Sequence, residues 1–232
     1  MLQSYIPVYV LADSSIGAFE KSAIERGTEE CAPVFGCVFI RLFQDSWGDG
    51  PFSSADKIIR AAKKDNGIID VTSAMKIMSD AMRTLKYPGA MMLFTRYDLK
   101  NAQTWCFGVA QTQKMCSIQS TCRYKNMSDE DFVRCVARTM RHELGHLFRC
   151  ANDDKRSNTI EKLGTHCTNS YCSMRQTMNI DELINAARHE NPRNCFCAQC
   201  REDMRQFKQR YERNHRMISF TDIASLARNY PG

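Results

Sequence analysis

Two independent patterns coincide in residues 128–150, and together they constrain the chain more than any other stretch. Phe132, Val136, Met140 and Leu144 recur one helical turn apart, with Val133 and Leu147 widening the apolar stripe. Ser128 and Asp131, three residues on, form a capping pair, so the spacing predicts a helix from about Asp129 to Cys150. Inside it, residues 142–146 read His-Glu-Leu-Gly-His. Histidines at i and i+4 leave one face of a helix a turn apart, so their nitrogens can converge on one Zn²⁺ at roughly 2.0–2.1 Å. Glu143 then stands beside the metal, where a carboxylate can take a proton from water and return it to a leaving amine.

A catalytic zinc takes three protein ligands and keeps a fourth position for water. Of the five histidines, His189 and His215 lie in polar helical stretches and read as solvated side chains. His166, in Gly-Thr-His-Cys, is the expected third ligand. Glu161 is its rival, followed by Asp153 and Asp154. The long separation from His146 is affordable, since each doubling of a loop costs only ~0.6 kcal/mol of closure entropy.

The chain has 12 cysteines. Cys167 with Cys172, and Cys197 with Cys200, are two close pairs separated by a loop, the layout of a closed tetrahedral zinc site that holds structure. Such a site ties the last helix to the segment carrying His166 and couples their folding. Cys195 offers Cys197 or Cys200 a different partner. Cys31, Cys37, Cys106, Cys116, Cys122, Cys135 and Cys150 have no ligand spacing and read as small buried hydrophobes. The opening MLQSYIPVYVLADSS has no positive n-region or small-residue cleavage site, so a cytoplasmic chain with reduced thiols is expected.

Strand-like and helix-like stretches alternate in the first 100 residues. YIPVYVLA reads as a strand, residues 16–32 as a helix and PVFGCVFIRLF as a second strand; SADKIIRAAKK and VTSAMKIMSDAMRTL read as amphipathic helices. AMMLFTRYDL is continuously apolar at its start, as a strand buried on both faces should be. WCFGVAQTQ reads as a loop region and KMCSIQSTCRY as an outer strand. TIEKLG reads as a helical turn, HCTNSYCSM as irregular, and DELINAARHE and residues 197–214 as closing helices. The expected fold is α/β: a mixed, mostly parallel sheet with helices in an N-terminal lobe (1–148), and an irregular C-terminal lobe (149–232), forming a single catalytic domain.

HELGH, then GTHC, then Cys-x4-Cys-x-Met, then FCAQC, resembles the archaemetzincin signature. The resemblance implies that His142, His146 and His166 bind a catalytic zinc with Glu143 as base and acid. It also implies that Cys167, Cys172, Cys197 and Cys200 bind a second zinc, and that Met174 lies in a turn beneath the first. WCFGVAQTQKMCSIQS looks like the edge-strand region that metzincins place above the cleft. This chain departs from HExxHxxGxxH, with Arg149 at the glycine position and Asn152 at the third histidine's, so an added segment reaches the mouth of the cleft as a lid or specificity loop. The implied function is peptide hydrolysis on a peptide or protein substrate, with two zincs per chain. The other reading of the same residues is a silent zinc-stabilised binding module, which has no use for Glu143.

The net charge of +6 has its clearest local source in residues 200–217, where Glu202, Asp203 and Glu212 interrupt the basic run. Mixed charges of that kind mark a solvated helix face, so no nucleic-acid partner is expected. No apolar run approaches the roughly 20 residues a membrane helix needs.

Overall fold

The computed structural model describes residues 4–42, 55–64, 66–101, 104–151, 159–161, 165–215, 217–219 and 221–223. The chain opens with β1 (Ser4–Ala12), α1 (Ala18–Phe35), β2 (Cys37–Leu42) and α2 (Ala55–Ala62). It continues through β3 (Ile69–Asp70), α3 (Val71–Met82), β4 (Ala90–Thr95), β5 (Leu99–Asn101) and β6 (Thr104–Cys106). Next come β7 (Gly108–Gln111), β8 (Cys116–Ser120), α4 (Asp129–Leu147), β9 (Thr159–Glu161) and β10 (Thr165–Cys167). The last elements are α5 (Ile180–His189), α6 (Ala198–Asn214) and β11 (Ile218–Ser219).

The main sheet runs β1, β4, β8, β7, with β2 and β11 sharing the other side of β1. β2, β1, β4 and β8 are parallel, and β7 joins antiparallel at the edge. Strand alternation explains the two cores. Ile6, Val8 and Val10 of β1, with Met92 and Phe94 of β4, face α1 and α4. Tyr9 and Leu11, with Met91 and Leu93, face α2 and α3. Every residue of β4 is buried, so its continuous apolar run serves both faces.

α4 begins where its cap places it: Ser128 Oγ accepts from the Asp131 N–H at 3.2 Å. It ends at Leu147 rather than near Cys150, because Arg149 and Ala151 take left-handed backbone angles, φ 64° and 56°. Three further expectations need correction. Pro33, Val34 and Phe35 extend α1 instead of starting a strand. Gly36 at φ 55° terminates the helix there, its N–H donating to Ala32 O at 2.8 Å. The outer strand is β7, from the stretch read as loop, while β8 is fully buried between β4 and β7. Thr159–Glu161 forms β9, not a helical turn, pairing antiparallel with β10 so that Ile160 stands opposite His166. Asn152, Asp153 and Asp154 of the expected lid lie outside the described residues, as does the Glu161 side chain.

Candidate metal centres

α4 presents His142 and His146 from its last two turns, and β10 presents His166 to them. The ring centroids lie 4.8, 5.2 and 5.0 Å apart, and His142 Nε2 is 3.2 Å from His146 Nε2. Two nitrogens held tetrahedrally at about 2.0 Å from one Zn²⁺ would be about 3.3 Å apart, so the observed spacing fits that ion. His142 Nδ1 lies 2.7 Å from Ser173 O, which fixes the tautomer that donates there and leaves Nε2 free as a ligand. Burial, then the neighbouring rings of His146 and His166, hold His142 well below the usual imidazole range. Burial, then His166, pulls His146 down to about 3. Both stay neutral at pH 7, the form a metal binds.

Glu143 is 4% exposed, and burial alone pushes its carboxyl up to about 8. A dication beside it would draw that value back down. Its approach to the sheet dictates a glycine: a Cβ on Gly108 would meet Glu143 Oε1 at 2.6 Å. Met174 imposes the same demand on the helix, since a Cβ on Gly145 would lie 2.1 Å from its Sδ. Met174, fully buried, therefore packs directly under the turn between the two histidines. A cleft of about 660 Å³ opens in front of them, walled by Trp105, Val109 and Ala110 on one side and Arg175 and Met178 on the other.

Beyond Ser173 lies a buried polar array. Glu190, just past α5, accepts from the Ser173 hydroxyl, from Arg138 and from Arg141 Nε at 2.7 Å, while Arg141 Nη1 reaches Glu30 at 2.8 Å. Arg138 stands four residues before His142, and that spacing alone places it on the metal-facing side of α4. Glu190 had no comparable signal, since it arrives from a different element. Nothing in the sequence marks Gln119 either. Its buried amide has no hydrogen-bond partner among the described residues, and it stands opposite Gly108 on the face that meets Glu143.

The second cluster gathers Cys167 from β10, Cys172, and Cys197 and Cys200 at the start of α6. Cys167 Sγ is 3.8 Å from Cys197 Sγ, and Cys172 Sγ is 3.6 Å from Cys200 Sγ. None of the four is joined in a disulfide, and these two separations match the roughly 3.8 Å edge of a tetrahedron with Zn–S near 2.3 Å. Hydrogen bonds within the cluster push the Cys167 thiol down and the Cys172 and Cys200 thiols up. Backbone N–H groups of Asn169 and Cys197 point at Cys167 Sγ (3.4 Å) and Cys172 Sγ (3.5 Å). Cys195 is not part of the group; burial pushes its thiol up to about 11. His189 and His215 are exposed, as expected.

The fold has close counterparts among solved structures. A zinc-dependent peptidase from Methanocorpusculum labreanum superposes with a TM-score of 0.61 at 18% identity, over 85% of this chain and 99% of that one. The archaemetzincin of Methanopyrus kandleri gives 0.60 at 18% identity, over 88% and 96%. That of Archaeoglobus fulgidus, solved with malonate, gives 0.56 at 17%, over 85% and 99%. The chain thus has the archaemetzincin fold. No family model matches the sequence, and no curated protein matches it either. Identity this low carries the fold alone, and activity must be argued from residues. Among the described residues, no helix is long and apolar enough to cross a membrane.

Proposed function

We propose that the chain is a zinc-dependent peptidase of the metzincin type. The observation that carries the reading is the convergence of His142, His146 and His166 beside a buried carboxylate, Glu143, at the floor of an open cleft. His142, His146 and His166 would hold the catalytic zinc; Cys167, Cys172, Cys197 and Cys200 would hold a structural one. Bound at the histidines, zinc supplies a Lewis acid that polarises the scissile carbonyl and acidifies water. The chain's own residues do the rest. Glu143 takes the proton from water and delivers it to the leaving amide nitrogen. Ser173 O, through His142 Nδ1, keeps that imidazole oriented. Among the described residues β7 has β8 on one side only, and β7 lines the cleft, so an extended peptide can add to it as a strand. Met174 supports the histidine turn from below.

Metal analysis and peptide turnover test the reading together. Two zincs per chain are expected. Glu143→Gln keeps both but loses hydrolysis by orders of magnitude, since an amide cannot accept the proton. His166→Ala falls to one zinc. Comparable turnover in Glu143→Gln refutes the role of that carboxylate, and two zincs in His166→Ala move the third ligand to Glu161.

A further inference from the structure

Resting on the peptidase reading, we propose that the cleft selects peptides carrying a carboxylate close to the scissile bond, gripped by Arg138 and Arg175. The charged side chains among the described lining residues, apart from the histidines, are Arg138, Arg175 and Glu143. Glu143 is committed to proton transfer. Among the described residues the wall therefore offers an approaching peptide guanidinium groups and neutral polar side chains, and no carboxylate other than Glu143.

Arg138 supplies direction. It is 3% exposed, one turn before His142, and lines the cleft. Nη1 pairs with Glu190 Oε2, while Glu190 Oε1 is already engaged by Arg141 and Ser173. A guanidinium has five N–H donors in a planar fork, and the remaining donors of Arg138 have no protein partner among the described residues. Donors directed at a cleft favour an acceptor with two oxygens, which a carboxylate provides. Arg138 and Arg141 face Glu190 and Glu30, so this array is neutral overall and Arg138 can remain charged while buried. Arg175 supplies the uncompensated charge. It directly follows Met174, its side chain is exposed at the cleft, and it makes no ion pair among the described residues. A purely structural Arg138, there only to anchor Glu190, would leave the preference for a carboxylate unchanged in Arg138→Lys.

The carboxylate can be an acidic side chain or a free C-terminus, and the assay separates them. Zinc-loaded full-length protein is given quenched peptides with Glu or Gln at each position flanking the scissile bond, all amidated. A second set ends one or two residues beyond that bond as free acid or amide. Charge-assisted, two-pronged binding predicts roughly a 10- to 100-fold higher kcat/KM for the carboxylate member of one pair. Arg175→Gln lowers that ratio several-fold, and Arg138→Lys, which keeps the charge but not the fork, lowers it further. If Arg138→Lys fails to fold, Arg138→Met with Glu190→Gln removes one charge of each sign and carries the same test. Ratios within twofold for every pair, or a preference unchanged in these variants, overturn the proposal.

Failure of the peptidase reading is distinguishable, because binding is read separately. Trp105 lines the cleft, and in a Trp47→Phe, Glu143→Gln background its fluorescence reports peptide binding without turnover. Tighter binding of the carboxylate peptide, lost in Arg138→Lys, supports the proposal even where no peptide is cleaved. Equal binding of both members overturns it.

Discussion

Replacing Gly145 by alanine sets two known effects against each other. In a helix interior alanine is favoured over glycine by about 1 kcal/mol, so propensity alone predicts a more stable protein. Packing predicts the reverse. The new Cβ would lie 2.1 Å from Met174 Sδ, 3.3 Å from Phe196 Cε1 and 3.4 Å from Met174 Cε. Heavy-atom contacts settle at about 3.5–4.0 Å, so the sulfur must retreat by more than 1 Å into a fully buried site. Overpacking of this kind costs about 1–3 kcal/mol, and so severe a contact belongs at the upper end. The net expectation is a loss of about 1–2 kcal/mol, which for a chain of this size lowers Tm by roughly 3–6 °C. Calorimetry of zinc-loaded protein measures it. In a Met174→Ala background the sulfur contact is gone and Phe196 need give by only a few tenths of an ångström, so Gly145→Ala should turn stabilising by up to about 1 kcal/mol. A higher Tm for Gly145→Ala with Met174 present would refute the packing of the methionine against the helix.

Cys197→Ser with Cys200→Ser should cost one zinc per chain and a large part of the stability, since metal binding there is folding energy; native mass spectrometry and a melt showing two metals and an unchanged Tm would refute it. Arg149 sits at φ 64°, where a non-glycine residue is strained by about 1–2 kcal/mol, partly offset by glycine's greater unfolded entropy, so Arg149→Gly should gain up to about 1 kcal/mol in urea melts. The Arg188 guanidinium, bonded to both oxygens of Asp131 at 2.7 Å, holds that carboxyl down to about 2, below its ordinary 3.8. A depressed folded value means the contribution is complete above the unfolded value and disappears as pH falls from about 4 towards 2. Asp131→Asn should therefore be less stable than wild type at pH 7 and indistinguishable near pH 2, a difference in which acid loss of the metal sites cancels.

What the sequence makes legible is what short-range pattern can encode. α4 announces itself because its cap, its apolar stripe and His142 with His146 all obey one period within a single segment. β4 does so because both of its faces are covered and every residue is apolar or small. The exchange of roles between β7 and β8 is a different matter. Whether a strand is interior depends on what pairs with its far side, and the apolar content of residues 108–111 and 116–120 does not encode that. β9 is three residues long and exists through its pairing with β10, so its local preference for a turn is overridden. Arg149 hides a left-handed position because no glycine marks it. His166 is legible as a residue type beside a cysteine, but its place opposite His142 comes from tertiary folding.

The two centres share their scaffolding unequally. His166 and Cys167 are consecutive in β10, and strand alternation sends one side chain towards the histidines and the other towards the cysteines. Residues 172–174 repeat the arrangement: Cys172 Sγ meets Cys200 Sγ, Ser173 O orients His142, and Met174 fills the space that Gly145 leaves. The two segments are bonded to each other through Cys167 N to Met174 O at 3.0 Å, and to the second cysteine pair's loop through Ser173 N to Cys195 O at 2.6 Å. The quartet therefore clamps both segments that complete the histidine site, whereas none of its sulfurs comes from α4. α4 is held mainly by its packing on α1, α5 and the sheet. Loosening the quartet must disturb Ser173 and His166 together, while trimming the His166 imidazole leaves all four sulfurs and the hydrogen bonds that aim them in place.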